Sequence, residues 1–422
     1  MAIATKFQTG MRVLFLASYF PKPDNPLMGT WALAQAQALV RCNINLRVVS
    51  CTSWVPKLVA PTSGAKAYAH CPNTYVWPGE VNVDYLRWLY YPVPPVKTWA
   101  YKHPQPYLSI AWHSVKRKLI DIVQTFQPDI IFCHHLLPNG WIAAQLPDNI
   151  CPPIITLDHD FDEITDCHQY PYRHAAMKRA VKQAWASLAV SNRMQQSFQA
   201  LFPHEHFLIH HNGIDLPPAQ LDKQPRPPAV QNKKIVLSCA LFAERKGIPL
   251  LIKAFCSIAP HHPDAILRII GNGPENSVIR ETIQQHDRTH QVQLLGKKPH
   301  HEVLQEMAWA DCFALVGWDE PFATVYLEAM AAGKPIICCR DGGINDVFQH
   351  QVHGYAVAPK DLQATASALD KMLSDDAARL SMGHHAKQLI HEQLTWDAKA
   401  SHLCELFSEA VAGAHYSGLQ TR

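Results

Sequence analysis

Short apolar runs alternate with helix-length amphipathic stretches along this chain, which is the pattern of parallel α/β folding. Residues 12–17 read as a buried first strand, 31–41 carry helical periodicity, and 46–50 form the next strand. Strand-like runs follow at 129–133, 154–157 and 188–191. The alternation then breaks at 216–232, where five prolines disfavour any regular element. That stretch, at 217–232, reads as a linker between a first domain over 1–216 and a second over 233–390. The series resumes with a strand at 235–240, a helix at 248–259 and strands at 265–270, 292–295, 312–316 and 335–339. Residues 391–422 read as a helical segment that could cross back to the first domain. Two doubly wound sheets in tandem place the carboxyl ends of their strands at ligand crevices, and a linker lets the crevices face across a cleft.

Length and composition agree with that division. A chain of 422 residues exceeds what a single core usually serves. It is 48% hydrophobic and 17% charged, and a net charge of +3 is too small to argue for nucleic acid as the partner. The 12 cysteines show no C-x-x-C pair and no zinc spacing, no secretory signal opens the chain, and no apolar run is long enough to span a bilayer. Reduced thiols in a cytoplasmic protein are the expectation, with no metal and no cofactor. The 25 histidines lower the chance that any one of them is functional.

The densest candidate chemistry is Glu320-Pro-Phe-Ala-Thr-Val-Tyr-Leu-Glu328, followed by Ala-Met-Ala-Ala-Gly-Lys-Pro. Glu320 precedes a helix and Glu328 lies within it, and eight helical steps span roughly 12 Å. That reach suits one carboxylate near a sugar and another near a ribose. The backbone N–H groups of Phe322, Ala323 and Thr324 would face a diphosphate at the helix N-terminus. Two acids in nine residues are equally compatible with a solvent-facing amphipathic helix. Arg245 and Lys246 fall at a strand-to-helix turn, where cations can hold a pyrophosphate, or are a solvated surface pair. Ile269-Ile-Gly-Asn-Gly-Pro-Glu275 is a strand running into a tight glycine turn, which alone is equally consistent with ordinary loop chemistry. His159 ends a buried strand, where an α/β site would be, or is a loop histidine bonded to Asp158 or Asp162.

In this order and at these separations the pieces resemble family 4 (group 1) of the retaining glycosyltransferases, and the resemblance covers nearly the whole chain. It rests on Lys246-Gly247, Gly271-Asn-Gly-Pro-Glu275, Leu294-Leu-Gly296 before His301-Glu-Val-Leu304, Ala310-Asp311, the Glu-x7-Glu stretch, Asp341-Gly-Gly-Ile-Asn-Asp346 and His353-Gly-Tyr355. The N-terminal half matches more loosely: Ser18-Tyr-Phe-Pro21 with the loop to Gly29-Thr30-Trp31, Gln127-Pro-Asp-Ile-Ile-Phe-Cys-His134, Thr156-Leu-Asp-His159, and His211-Asn-Gly-Ile-Asp215.

The resemblance implies the GT-B fold, two Rossmann-like domains with a cleft, and no need of a metal. It implies retaining transfer of a sugar from a nucleotide-sugar donor to a saccharide or lipid-linked saccharide acceptor, in surface polysaccharide or glycolipid synthesis. Glu320 and His159 would be catalytic. Arg245, Lys246, Gly271, Phe322, Ala323, Thr324 and Glu328 would bind the donor. Gly29, Thr30 and His134 would lie on the acceptor side. The chain also departs from the family pattern. Ala240 stands where an Arg is usual, Ala323 and Asp160 replace glycines, and Asp346 replaces a Glu.

From Tyr85 to Ile120 no Asp or Glu occurs, while Arg87, Trp88, Tyr90, Tyr91, Lys97, Trp99, Tyr101, Lys102, Trp112, Lys116, Arg117 and Lys118 do. Such a stretch either rests on an anionic membrane at the inner face or packs its aromatics into the core. Two other readings stay open for the whole protein. A binding protein with a decayed site is motivated by Ala240 and Asp160. A dinucleotide-dependent oxidoreductase is disfavoured because no G-x-G-x-x-G follows the first strand.

Overall fold

The computed structural model describes residues 10–60, 62–89, 96–161, 164, 167–221, 224–286 and 290–420. Two compact units result, one of Met1–His211 with Trp396–Arg422 and one of Asn212–Thr395.

The first unit is built on an eight-stranded sheet: β1 (Arg12–Leu16), β2 (Asn45–Ser53), β3 (Thr74–Trp77), β4 (Val81–Trp88), β5 (Ile130–His134), β6 (Ile154–Asp158), β7 (Ala186–Ala189) and β8 (Phe207–Ile209). The spatial order is β3-β4-β2-β1-β5-β6-β7-β8, parallel throughout except for the antiparallel β3–β4 pair. Central β1 is buried on both faces, which is why it reads as an unbroken apolar run rather than an alternation. The β3–β4 hairpin is absent from the sequence reading. Its outer strand is largely exposed, and its inner strand, Val81-Asn-Val-Asp-Tyr, alternates with polar residues.

The helices of this unit are α1 (Thr30–Arg41), α2 (Ser63–His70), α3 (Val96–Lys102), α4 (Pro104–Phe126), α5 (Trp141–Ala143), α6 (Pro171–Gln183) and α7 (Asn192–Leu201). On α4, Leu108, Ala111, Val115, Leu119 and Ile122 bury one stripe, and Pro104 at the first turn costs no helical hydrogen bond.

The second unit carries six parallel strands, β9 (Lys234–Cys239), β10 (Ala265–Ile270), β11 (Val292–Gly296), β12 (Cys312–Leu315), β13 (Ile336–Cys339) and β14 (Gly354–Val357), in the order β11-β10-β9-β12-β13-β14. Its helices are α8 (Ile248–Ile258), α9 (Asn276–Gln285), α10 (His300–Trp309), α11 (Thr324–Ala331), α12 (Leu362–Ser374) and α13 (Asp376–Gln393). The last helix, α14 (Trp396–Gln420), belongs to the first unit. It packs on α1, where Arg41 pairs with Asp397 at 2.7 Å, and its Phe407 ring lies 5.6 Å from Phe132 of β5.

The proline-rich 217–232 stretch differs from the expectation of a linker. The chain passes between units after His211, and the described prolines lie within the second unit. Trp309 Nε1 donates to the Gln224 carbonyl at 3.2 Å and Arg226 pairs with Asp311 at 3.0 Å. Proline bars a ladder or a helix but not side-chain and carbonyl contacts with a neighbouring helix, so the stretch is irregular and still packed. No helix among the described residues is long and apolar enough to cross a membrane.

Candidate active site

Each sheet reverses its strand order beside its first strand, between β1 and β5 in one unit and between β9 and β12 in the other. Ligand crevices of open α/β sheets lie outside the strand carboxyl ends at such points. The segments that leave these four strands, and β6 next to β5, hold most of the candidate residues.

In the second unit, β9 runs into a short turn, Glu244–Lys246, and Gly247 at φ 66° turns the chain into α8. The segment leaving β12 fits tightly against that turn. A Cβ on Gly317 would lie 2.7 Å from the Arg245 carbonyl oxygen, and the Trp318 N–H donates to the same oxygen at 2.9 Å. This seam brings Glu320 to the two cations. Its Oε1 accepts from Arg245 Nη1 at 2.8 Å and from Lys246 Nζ, while its backbone carbonyl accepts from the Gly343 N–H at 2.9 Å. Glu320 is 3% exposed. Taking a lone carboxylate out of water costs several kcal/mol, so the two cations are what make its burial tolerable. The cluster keeps one net positive charge. All three residues stand out in the sequence, where the cations suit a phosphate and the acid a sugar. Their mutual bond, across 74 and 75 positions, carried no sequence signal.

Helix α11 starts at Thr324 with Ala323 at its N-cap, and no side chain caps it. Phe322 is buried just before it. One turn on, Glu328 Oε1 accepts from His300 Nε2 at 3.0 Å, and this hydrogen bond raises the His300 pKa above its ordinary value. His300, the first residue of α10, was not anticipated, since nothing in its sequence neighbourhood points to an acid 28 residues on.

In the first unit, His134 ends β5 and His159 follows β6, and their rings meet edge-on at 4.4 Å. His135 and Trp31 also lie beside His159, at 5.6 and 6.3 Å. His134 is 1% exposed, with its Nε2 2.6 Å from Gln35 Oε1. It therefore buttresses His159 rather than offering an edge to an acceptor. Burial first, then the neighbouring histidines, hold its pKa well below the usual value. Asp158 is buried and accepts from the Leu136 N–H at 3.1 Å. Asp160 is exposed, and Asp162 lies outside the described residues. Against the far end of the same sheet, His210 stacks on His402 of α14 at 5.3 Å.

Two of the candidate glycines allow close approaches within the chain. A Cβ on Gly29 (φ 70°) would lie 2.2 Å from the Tyr19 carbonyl oxygen, and one on Gly271 (φ 149°) would lie 2.0 Å from that of Ala240. In both, the close approach that glycine permits is to the chain itself. Thr30, beside Gly29, opens α1 and is exposed.

The acid-free stretch divides. Tyr85 and Trp88 lie in the core of β4, and Arg87 donates to the carbonyls of Tyr68, at 2.9 Å, and Cys71. Tyr101 is covered by the Arg173 guanidinium at 3.9 Å and Trp112 is half-buried. Trp99, Lys102, Lys116, Arg117 and Lys118 face solvent. Tyr90, Tyr91 and the Lys97 side chain lie outside the described residues.

Residues 28–217 match the model of glycosyltransferase family 4, and residues 220–389 match that of glycosyl transferases group 1. A Bacillus subtilis (strain 168) protein named as the teichuronic acid biosynthesis glycosyltransferase TuaC is 26% identical over 407 residues, covering 91% of this chain and 98% of its own. The N-acetyl-alpha-D-glucosaminyl L-malate synthase of Bacillus anthracis is 27% identical over 286 residues, 65% of this chain and 73% of that one. Among solved structures, sucrose-phosphate synthase from Thermosynechococcus elongatus superposes with a TM-score of 0.75 at 19% identity, covering 96% of this chain and all of the other. Anabaena HepE in complex with UDP-glucose gives 0.66 at 18% identity, over 94% of this chain and all of its own.

Proposed function

We propose, for a chain that belongs to the group 1 glycosyltransferases of family 4 and has the GT-B fold, that the second unit binds a nucleotide-sugar donor and that the sugar is transferred with retention to a saccharide or lipid-linked saccharide. The observation that carries this reading is the cluster of Glu320, Arg245 and Lys246 at a strand-order switch, one turn from the uncapped start of α11. A diphosphate needs positive partners in a partly dry site, and a transferred sugar needs a carboxylate to orient its hydroxyls. The triad holds both.

On donor binding, Arg245 and Lys246 turn from Glu320 to the phosphate oxygens, joined by the N–H groups of Phe322, Ala323 and Thr324. Glu320 is released to the sugar hydroxyls and Glu328 receives the ribose. Gly271 contributes by letting the β10 turn pack under the Ala240–Phe242 loop. The bond from the anomeric carbon to the diphosphate breaks as the acceptor oxygen attaches on the same face. The acceptor proton passes to the departing phosphate oxygen. The residues stabilise the negative charge that builds on that leaving group. In the first unit, His159, backed by His134, contacts the sugar or the acceptor, with Gly29 and Thr30 shaping the acceptor loop. No metal or cofactor takes part. The name of the Bacillus subtilis relative supports a place in surface polysaccharide synthesis. Exposed Lys116, Arg117 and Lys118 support peripheral contact of a cytoplasmic enzyme with an anionic membrane surface.

The competing reading is a binding protein with a decayed site. Ala240 and the exposed Asp160 favour it, and the intact triad speaks against it. A thermal-shift panel of nucleoside diphosphates and their sugars tests donor binding. One nucleotide series should stabilise the protein, since a ligand at a hundred times its Kd adds about 2.7 kcal/mol. Glu328→Gln should diminish that shift. The absence of a shift with every nucleotide would sink the proposal.

A further inference from the structure

We propose that His300 is a positioning residue for the donor ribose: it fixes the Glu328 carboxylate through Oε1 and leaves Oε2 to receive the ribose hydroxyls. The inference rests on the assignment of Glu328 to the ribose. Its own observation is the 3.0 Å bond from His300 Nε2 to Glu328 Oε1, the one hydrogen bond this carboxylate makes among the described residues. A glutamate on a helix has three side-chain torsions to settle before it can accept from two hydroxyls at once, and a donor on one oxygen settles them beforehand. The two elements that meet here make this possible. Pro299 sets the chain at φ −59° and opens α10 with His300 directed at α11, while Glu328 sits one turn into α11.

The exposures of the pair differ in a useful way. Glu328 is largely enclosed, at 17% of its side chain, whereas the His300 ring is 62% exposed and exchanges protons with bulk water. Two groups lie about this pair, and Glu328 itself acts on the His300 ring. Glu328 on α11 and Asp215, near the start of the second unit, both favour the imidazolium. Cys239, at the end of β9, feels Glu328 and is pushed up to about 12, mainly by burial, so it stays neutral through the range in which a histidine titrates. The charge of the pair is therefore governed by His300 itself, whose pKa is raised first by the hydrogen bond to Glu328.

Protonated, His300 cancels the charge of Glu328 next to an arriving diphosphate anion. Neutral, it still donates from Nε2 but leaves that negative charge uncompensated. Donor affinity should fall as pH rises through the His300 pKa, which lies above the ordinary histidine value. The pair is half exposed, so the effect is modest, about two- to fivefold.

The test is the affinity of a nucleotide sugar, whose diphosphate diester keeps its charge between about pH 5.5 and 8.5. UDP-glucose serves, or the member of the thermal-shift panel that gives the largest shift, titrated calorimetrically against wild type, His300→Gln, His300→Ala and Glu328→Gln. Wild type should weaken about two- to fivefold with rising pH. His300→Gln, which keeps a donor without the charge, should lose the pH dependence and stay near the high-pH wild-type affinity. His300→Ala should lose both the pH dependence and affinity. In each His300 variant KM for the donor should rise while kcat at saturation holds. A wild-type pH profile in His300→Gln, or full affinity at every pH in His300→Ala, would overturn the inference. Should Glu328→Gln bind the nucleotide sugar as wild type does, the ribose assignment fails instead and takes this inference with it.

Discussion

Replacing Glu320 by Gln removes one charge and almost nothing of the shape. In the structure that charge sits on an oxygen shared by Arg245 Nη1 at 2.8 Å and Lys246 Nζ. A hydrogen bond to a charged group contributes roughly 1.5–3 kcal/mol. The Lys246 bond belongs near the top of that range because its side chain is only 14% exposed, and the Arg245 bond near the bottom because its side chain is 45% exposed and screened. A diphosphate must compete with both. With Gln the competition disappears, so the free nucleoside diphosphate should bind as well as before or up to about tenfold tighter, tenfold being about 1.4 kcal/mol. Turnover should move the other way. The sugar loses the carboxylate that orients it and interacts with the charge developing at its anomeric carbon, and such preorganised groups account for about 10²- to 10³-fold in kcat. The unliganded variant should also unfold more easily, and nucleotide should restore more of its stability than it adds to wild type. Calorimetric titration with nucleoside diphosphate, beside initial rates at saturating donor, measures both quantities. A nucleotide affinity more than about tenfold weaker with kcat intact would refute the reasoning. It would show that Glu320 holds the nucleotide rather than its counter-ions.

Arg245→Ala should cost about as much activity as Lys246→Ala, and the double variant should cost less than the sum, because both act on one diphosphate. Ala240→Arg should partly rescue Arg245→Ala, whereas full activity in Arg245→Ala would make that residue an ordinary solvated cation. His134 and His210 are held neutral by burial, with pKa values well below the usual one. The unfolded chain takes up those protons near pH 6.5, so stability should fall as pH drops below that value, by up to about 1.4 kcal/mol per histidine per pH unit. Equal urea midpoints at about pH 7.5 and 5.5 would contradict this. Replacing Lys116, Arg117 and Lys118 by Gln should reduce salt-sensitive binding to anionic liposomes, and binding that ignores salt, or none at all, would assign those cations to solvent alone.

What the sequence discloses follows the range of the physics involved. The apolar runs that became β1, β5, β9 and β12 were legible because strands buried on both faces read as nearly continuous apolar runs. Their exit loops were legible because the chemistry there is contiguous: Arg245-Lys246 after β9, and Glu320 through Glu328 after β12. The hairpin of β3 and β4 stayed hidden because its outer strand faces water and its inner strand interleaves Asn and Asp. Pairings across the sheet order stayed hidden as well. The bonds of Glu320 to Arg245 and Lys246 join segments that leave β9 and β12, neighbours only in the sheet, and the bond of Glu328 to His300 joins α11 to α10. The glycines disclose a close approach without its partner. Gly29 and Gly271 mark close backbone approaches, as their residue type implies, but what approaches is the carbonyl of Tyr19 or of Ala240.

The central claim is that this site transfers a sugar rather than merely holding a nucleotide. It is met most directly by incubating the protein with each nucleotide sugar that stabilises it, together with a crude lipid-linked saccharide fraction, and following nucleoside diphosphate release. The account predicts release that depends on the acceptor fraction, an α-linked product from an α-linked donor, and loss of release in Glu320→Gln while nucleotide binding persists. Tight binding of the nucleotide sugar with no release above the protein-free rate, or a product of inverted anomeric configuration, would contradict it.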